Sequence, residues 1–226
     1  MSGGHGGTGE ILTALGTVHD PELDEPITDL GFVTEAARTG AHVQVKLRLP
    51  TYFCAPNFAY LMVADAHDAV RKVPGVASVE IRLEDHFAAE EINAGVAAQS
   101  GFAGTFPGLA TEELAHLRET FRRKAYLAAL ERLCRTLPPT ADLPALTLAD
   151  LPPSAQLTAL LDRRRALGLP TAPGAPLLLD EQGAPLPPDR LRFAQAVRVS
   201  IEGNAGWCRG LLATRYGPAQ PAATSP

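Results

Sequence analysis

Cys54 stands in Leu49-Pro50-Thr51-Tyr52-Phe53-Cys54-Ala55-Pro56-Asn57, between a run of alternating apolar residues and a run of helical period. The strand pattern should end at Pro50 and a helix should open near Pro56 or Asn57, which sets the thiol just ahead of a helix N-terminus. Unpaired N–H groups and the helix dipole favour negative charge there. A thiol that ionises at such a position suits a metal ligand or a nucleophile. Thr51, three residues earlier, is placed to donate its hydroxyl to the thiolate. The alternative is a small buried hydrophobe, a common state of free cysteine.

His19-Asp20-Pro21-Glu22-Leu23 is the second constellation. His19 is the histidine best placed to act as a second ligand. Asp20 precedes a proline, where aspartate often caps a turn, and Glu22 reads as its solvated neighbour. Asp29 is expected to bond local backbone. His86-Phe87 can border the same end of the sheet as Cys54, whereas His42 and His67 read as exposed. Cys134 reads as core. Cys208 sits between Trp207, which favours burial, and Arg209, whose charge favours ionisation. The triplets Arg122-Arg123-Lys124 and Arg163-Arg164-Arg165 read mostly as solvated helix faces.

The elements that must position these residues are legible in the apolar pattern. Ile11, Leu12, Leu15 and Val18 predict a short helix over Glu10–Val18. Ile27–Val33 reads as the start of a strand that leads to a turn at Thr39-Gly40. Val43, Val45, Leu47 and Leu49 alternate strictly and predict a half-buried strand, antiparallel to its predecessor. Asn57–Val73 has helical period and stops at Pro74-Gly75; Val76–Leu83 alternates again. Beyond this, Thr111–Leu137 predicts a long helix, Ser154–Leu167 another, and Leu177–Leu179 a short strand running into a turn. Asp189–Tyr216 predicts a final helix broken near Gly203–Gly206.

Composition narrows the function classes. A net charge of −5 over 226 residues offers no basic surplus for nucleic acid. No run approaches the roughly 18 apolar residues of a membrane span, and Met1–Glu10 lacks the features of a secretory signal. The expectation is a cytosolic protein. Its three cysteines are far apart and show no C-x-x-C spacing, which argues against a local zinc knuckle. No nucleophile elbow, phosphate loop or metalloprotease helix is present.

Four segments in order carry a resemblance: His19-Asp20-Pro21-Glu22-Leu23, Ile27-Thr28-Asp29-Leu30-Gly31-Phe32-Val33, Pro50-Thr51-Tyr52-Phe53-Cys54-Ala55-Pro56 and Pro74-Gly75-Val76-Ala77-Ser78-Val79. Together they resemble the iron–sulfur assembly domain of SufT-like and PaaD-like proteins. That family shows D-P-E-[IL], I-x-D-L-G-L-V, a threonine shortly before Cys-Pro, and P-G-V-x-x-V. Here Cys54-Ala55-Pro56 is one residue longer than Cys-Pro, and His86-Phe87 stands near the place of a common tryptophan.

The resemblance implies an α+β fold, a small helix-on-sheet domain over residues 10–94. Composition adds a disordered tail over 1–9, a linker over 95–110 and a mainly helical accessory domain over 111–226. The resemblance also places the Asp20 loop beside the cysteine turn. Cys54, Asp20 and Thr51 then bind the cargo, a transient iron or iron–sulfur cluster, with Cys54, Asp20 and His19 as metal ligands. The implied function is a non-catalytic accessory factor that matures a client metalloenzyme, with a multicomponent oxygenase as the client class. The alternative is a metal-independent chaperone or scaffold for an oxygenase subunit, and a third reading is a thiol enzyme with His19 or His86 as base. Expected partners are the client or other assembly proteins, with a homodimer as a further candidate and neither nucleic acid nor membrane.

Overall fold

The computed structural model describes residues 4–107, 111–217 and 222–225. The chain is α+β, in the order α1 (Gly4–Leu15), β1 (Val33–Thr39), β2 (His42–Arg48), α2 (Pro56–Arg71), β3 (Ser78–Glu84), α3 (Ala89–Ala97) and α4 (Gly101–Thr105). A mainly helical region follows, α5 (Thr111–Cys134), α6 (Ala155–Ala166) and α7 (Leu191–Tyr216), and then a short strand, β4 (Ala223–Ser225). Two compact units result. The first runs through Ala115 and resumes at Asn204; the second is His116–Gly203.

The first unit is built on a sheet of order β3-β2-β1-β4. β1 and β2 form the expected antiparallel hairpin, with Thr39 opposite His42, and Gly40 makes the turn at φ +61°, a conformation that suits glycine. β2 and β3 are parallel, Val43 opposite Val79 and Leu47 opposite Leu83. Parallel neighbours need a crossover, and α2 supplies it. The alternation read in β2 holds: Val43, Val45 and Leu47 are buried with Ala59, Met62, Val63, Ala66 and Val70 of α2. Each Val, Leu or Met among them contributes roughly 1.5–3 kcal/mol on burial. The opposite face is polar, where Gln44 donates to Glu80 at 2.9 Å and Arg48 to Glu84 at 3.0 Å.

Several expectations change. Ile27–Gly31 is a turn, because Asp29 and Leu30 both donate to Pro26 O at 3.0 Å; Gly31 has φ +76°, and the strand begins at Val33. α1 begins at Gly4, inside the segment expected to be disordered, and Thr8 is buried. α3 and α4 occupy half of the expected linker; residues 108–110 lie outside the described ones. α3 packs on α2, and His67, which shares a groove with Asn93 and Val96 of α3, is buried rather than exposed. On the outer side of β3, Leu83 N donates to Asn93 Oδ1 at 2.8 Å, and Asn93 Nδ2 donates to Leu83 O at 3.0 Å.

The second unit packs α5, α6 and the start of α7 around Tyr126, Leu130, Leu133, Leu148, Leu160, Leu177 and Ala194. Leu177–Leu179 is no strand; its pairing is limited to isolated bridges that join Thr147 to Pro176 and Leu179 to Pro185. Proline has no N–H to extend a ladder. Arg164 is fully buried rather than solvated. Its guanidinium donates to Pro170 O at 3.0 Å, Pro176 O at 2.9 Å and Leu177 O at 2.7 Å. Tyr126 OH donates to Leu179 O at 2.8 Å. α7 runs unbroken through Gly203–Gly206. Two interior glycines cost roughly 1 kcal/mol each, offset by ion pairs from Arg198 to Glu131 and Glu202 and by burial of Ala205 and Leu212.

Candidate functional site

After β2 the chain turns through Thr51-Tyr52-Phe53 and enters α2 at Pro56. Ala55 is the N-cap and supplies no side-chain acceptor, while Pro56 fits the first helical position. Cys54 therefore sits one residue outside the cap, as its spacing predicts. Two links fix the turn against the segment that follows β3. Phe87 N donates to Tyr52 O at 3.1 Å, and the His86 ring bonds Cys54 O through Nε2 at 2.7 Å. His86 Nδ1 accepts from Ala88 N at 3.2 Å. One ring nitrogen must donate and the other accept, so His86 is the neutral tautomer with its proton on Nε2. Burial, followed by repulsion from Arg215, lowers its pKa, opposed by the bond to Cys54 O.

The sulfur is half-buried and carries no disulfide. Burial, then the nearby Asp20, Cys208 and Glu22, push its pKa up to about 12 against a lowering bond from Ala55 N–H. The expectation of an anionic sulfur at a helix mouth is thus corrected: without a cation, desolvation and neighbouring acids outweigh the helix terminus. Thr51 is half-buried and makes no hydrogen bond to the thiol.

Asp20 is buried, and its Oδ1 accepts from Glu22 N at 2.8 Å and Leu23 N at 2.9 Å. It closes the turn that Asp-Pro suggested. Burial pushes its pKa up to about 6, opposed by those two bonds, with Glu22 and Glu25 adding to the rise. It lies close enough to Cys54 and Cys208 to raise both thiols. His19 is half-buried, with its Nδ1 at 3.2 Å from Thr17 O and its backbone paired with Pro26. Asp29 is exposed and accepts from Thr28 Oγ1 at 3.1 Å. Among the described residues no three His, Cys, Asp or Glu side chains are grouped closely enough to hold a metal ion.

Two features had no clear signal in the sequence. Tyr52, Phe53 and Phe87 form an exposed aromatic group beside Cys54, with Phe53 77% exposed and 6.1 Å from Phe87 between ring centroids. Cys208 comes to the same unit from the far end of the chain, and Trp207, expected to bury it, is itself 71% exposed. Cys134, read as core, is half-buried and packs against the second core from its margin, and burial pushes it up to about 11. No helix is long and apolar enough to cross a membrane among the described residues.

Residues 9–81 match the family described as iron–sulfur cluster assembly protein. An iron–sulfur cluster carrier protein of Synechocystis sp. is 34% identical over 76 residues, 34% of this chain and 21% of the relative. One of Deinococcus radiodurans is 38% identical over 73 residues, 32% of this chain and 20% of the relative. An uncharacterized protein of Methanocaldococcus jannaschii is 32% identical over 85 residues, 37% of this chain and 87% of the relative. The chain thus spans about a fifth of the length of those two carrier proteins. No solved structure gives a significant match.

Proposed function

The chain belongs to the iron–sulfur cluster assembly protein family through residues 9–81, and we propose that it acts as an accessory factor that helps install an iron–sulfur cluster or iron centre in a client enzyme. Cys54 is the residue that takes the cargo. The observation that carries this reading is the position of its sulfur, half-buried in a turn pinned by His86 and close to the Asp20 carboxylate. Buried groups that repel one another's charge gain most from a bound cation, which reverses the sign of every such interaction. Thiolate is also the soft ligand that iron–sulfur chemistry uses.

Tyr52, Phe53 and Phe87 support a partner at the same place, since adjacent exposed apolar side chains beside a reactive group mark contact surface. The client is a protein that must receive the metal. The resemblance to PaaD-like proteins favours an oxygenase component. In this role the protein is non-catalytic.

Cys54→Ala tests the assignment. The variant should keep the thermal unfolding midpoint of the parent, while iron content and activity of a co-expressed client fall at least ~10-fold, a loss of the size that ligand-shell changes cause. Unchanged client metallation refutes a cargo role for Cys54.

A second reading is a metal-independent chaperone or scaffold, favoured by the exposed aromatic surface of Tyr52, Phe53 and Phe87. Under that reading Cys54→Ala leaves client capture intact and the purified chain binds no iron.

A further inference from the structure

The last part of α7 crosses the region around Cys54, and its anchors fix where it runs. Asn204 Nδ2 donates to Glu22 Oε1 at 3.4 Å, and Arg209 pairs with Glu25, so this stretch lies on the loop that contains Asp20. Further along, Arg215 donates to Leu49 O at 3.4 Å and to Asp85 O at 2.9 Å, the residues that lead out of β2 into the cysteine turn and out of β3 into His86. Between residues 204 and 215 a helix advances roughly 16 Å, and Cys208 lies within that span. Ala205 and Leu212, three residues before it and four after, are buried on one stripe. Cys208 shares the stripe and packs, like Cys54, against the first unit's core.

We propose that Cys208 is a second thiol ligand beside Cys54, and that the two sulfurs hold the iron cargo together. This rests on the cargo role proposed for Cys54. The anchors carry it: they run α7 over the Asp20 loop and against the residues that lead into the cysteine turn, and Cys54 and Cys208 both pack against the one core below. Two sulfurs are an incomplete ligand set. The remaining coordination positions fall to water, inorganic sulfide or the receiving protein. A site that must give up its metal benefits from that incompleteness, because the recipient's ligands enter without first displacing protein groups.

The test uses the full reduced chain and Co²⁺ under anaerobic conditions, read by sulfur-to-cobalt charge-transfer absorption. Cys208→Ser should lose about half of that absorption and weaken Co²⁺ binding at least ~10-fold, Cys54→Ser should do the same, and Cys134→Ser should match the parent. A Cys208→Ser variant identical to the parent, with Cys54→Ser abolishing the signal, overturns this inference and leaves the Cys54 assignment standing. If neither substitution matters, both fall. A second measurement needs no variant: a trivalent monoarsenical, which bridges neighbouring thiols, should join the peptides of Cys54 and Cys208 in the native chain. Peptides recovered without that link overturn the pairing.

Discussion

The two units bury apolar cores, the first rich in Val and Ile and the second built almost wholly of Leu and Ala, and they satisfy their backbones by different means. In the first, the sheet pairs the backbone: ladder hydrogen bonds join β3, β2 and β1 along their lengths and β4 to Glu35–Ala37 of β1, and Val43, Val45 and Leu47 need only point inward. In the second, the segment around Pro170–Pro187 has carbonyl groups but, at each proline, no N–H to pair in return. Side chains on neighbouring helices replace the missing strand. Arg164 carries five N–H donors in a planar fork and places three of them on carbonyl oxygens; Tyr126 serves a fourth carbonyl. A proline-rich segment thus has a donor deficit, and a buried guanidinium is one way to fill it.

The largest effect should come from removing that donor. Arg164→Met leaves three carbonyls unpaired and should destabilise the second unit by about 3–5 kcal/mol, read as a lower urea midpoint in probes within residues 116–203. Arg164→Lys should rescue little, since an ammonium lacks the planar fork. Equal loss in probes of the first unit would erase the distinction between the two.

Asp20 sharpens the comparison from the other side, because in the first unit a buried polar side chain that supports a turn carries a cost once it is charged. Its folded pKa of about 6 lies above the ordinary 3.8. A raised value means that its contribution is fully present below the unfolded pKa and is lost as pH rises through about 6. Asp20→Asn keeps the acceptor for Glu22 N and Leu23 N without the charge. The variant should match the parent near pH 4 and exceed it by roughly 2–3 kcal/mol above pH 7, checked by urea unfolding at both pH values. A constant difference across that range refutes the assignment.

Tyr126→Phe should have the smallest effect, about 1 kcal/mol from one lost hydrogen bond and an unpaired Leu179 carbonyl. A loss as large as that of Arg164→Met would mean that the hydroxyl, not the guanidinium, is the main donor.

These contrasts explain what could be read from the sequence. The hairpin, α2 and β3 were legible because burial on one face imposes period two on a strand and 3.6 on a helix, as Val43–Leu47 and Phe58–Val70 show. Cys54 was legible as a helix-entry residue because prolines flank its turn. Its charge was not, since its pKa depends first on burial and then on Asp20 and Cys208, distant in sequence. Arg164 was hidden inside Arg163-Arg164-Arg165, although Leu157, Leu160 and Arg164 share one helical stripe. The need for a buried donor arises only when three carbonyls from another segment converge. Nor does composition show that residues from Asn204 onward return to the first unit; that depends on contacts such as Arg209 with Glu25 and Arg215 with Leu49.

Asn93 has a consequence for assembly. A strand at the margin of a sheet offers its free main-chain groups to any extended peptide, and foreign chains can add there and propagate as fibrils. The amide of Asn93 occupies both groups of Leu83 as a surrogate peptide bond. An incoming strand would have to evict that amide, so the β3 margin is closed to recruitment at Leu83 while the cysteine turn stays open to encounter.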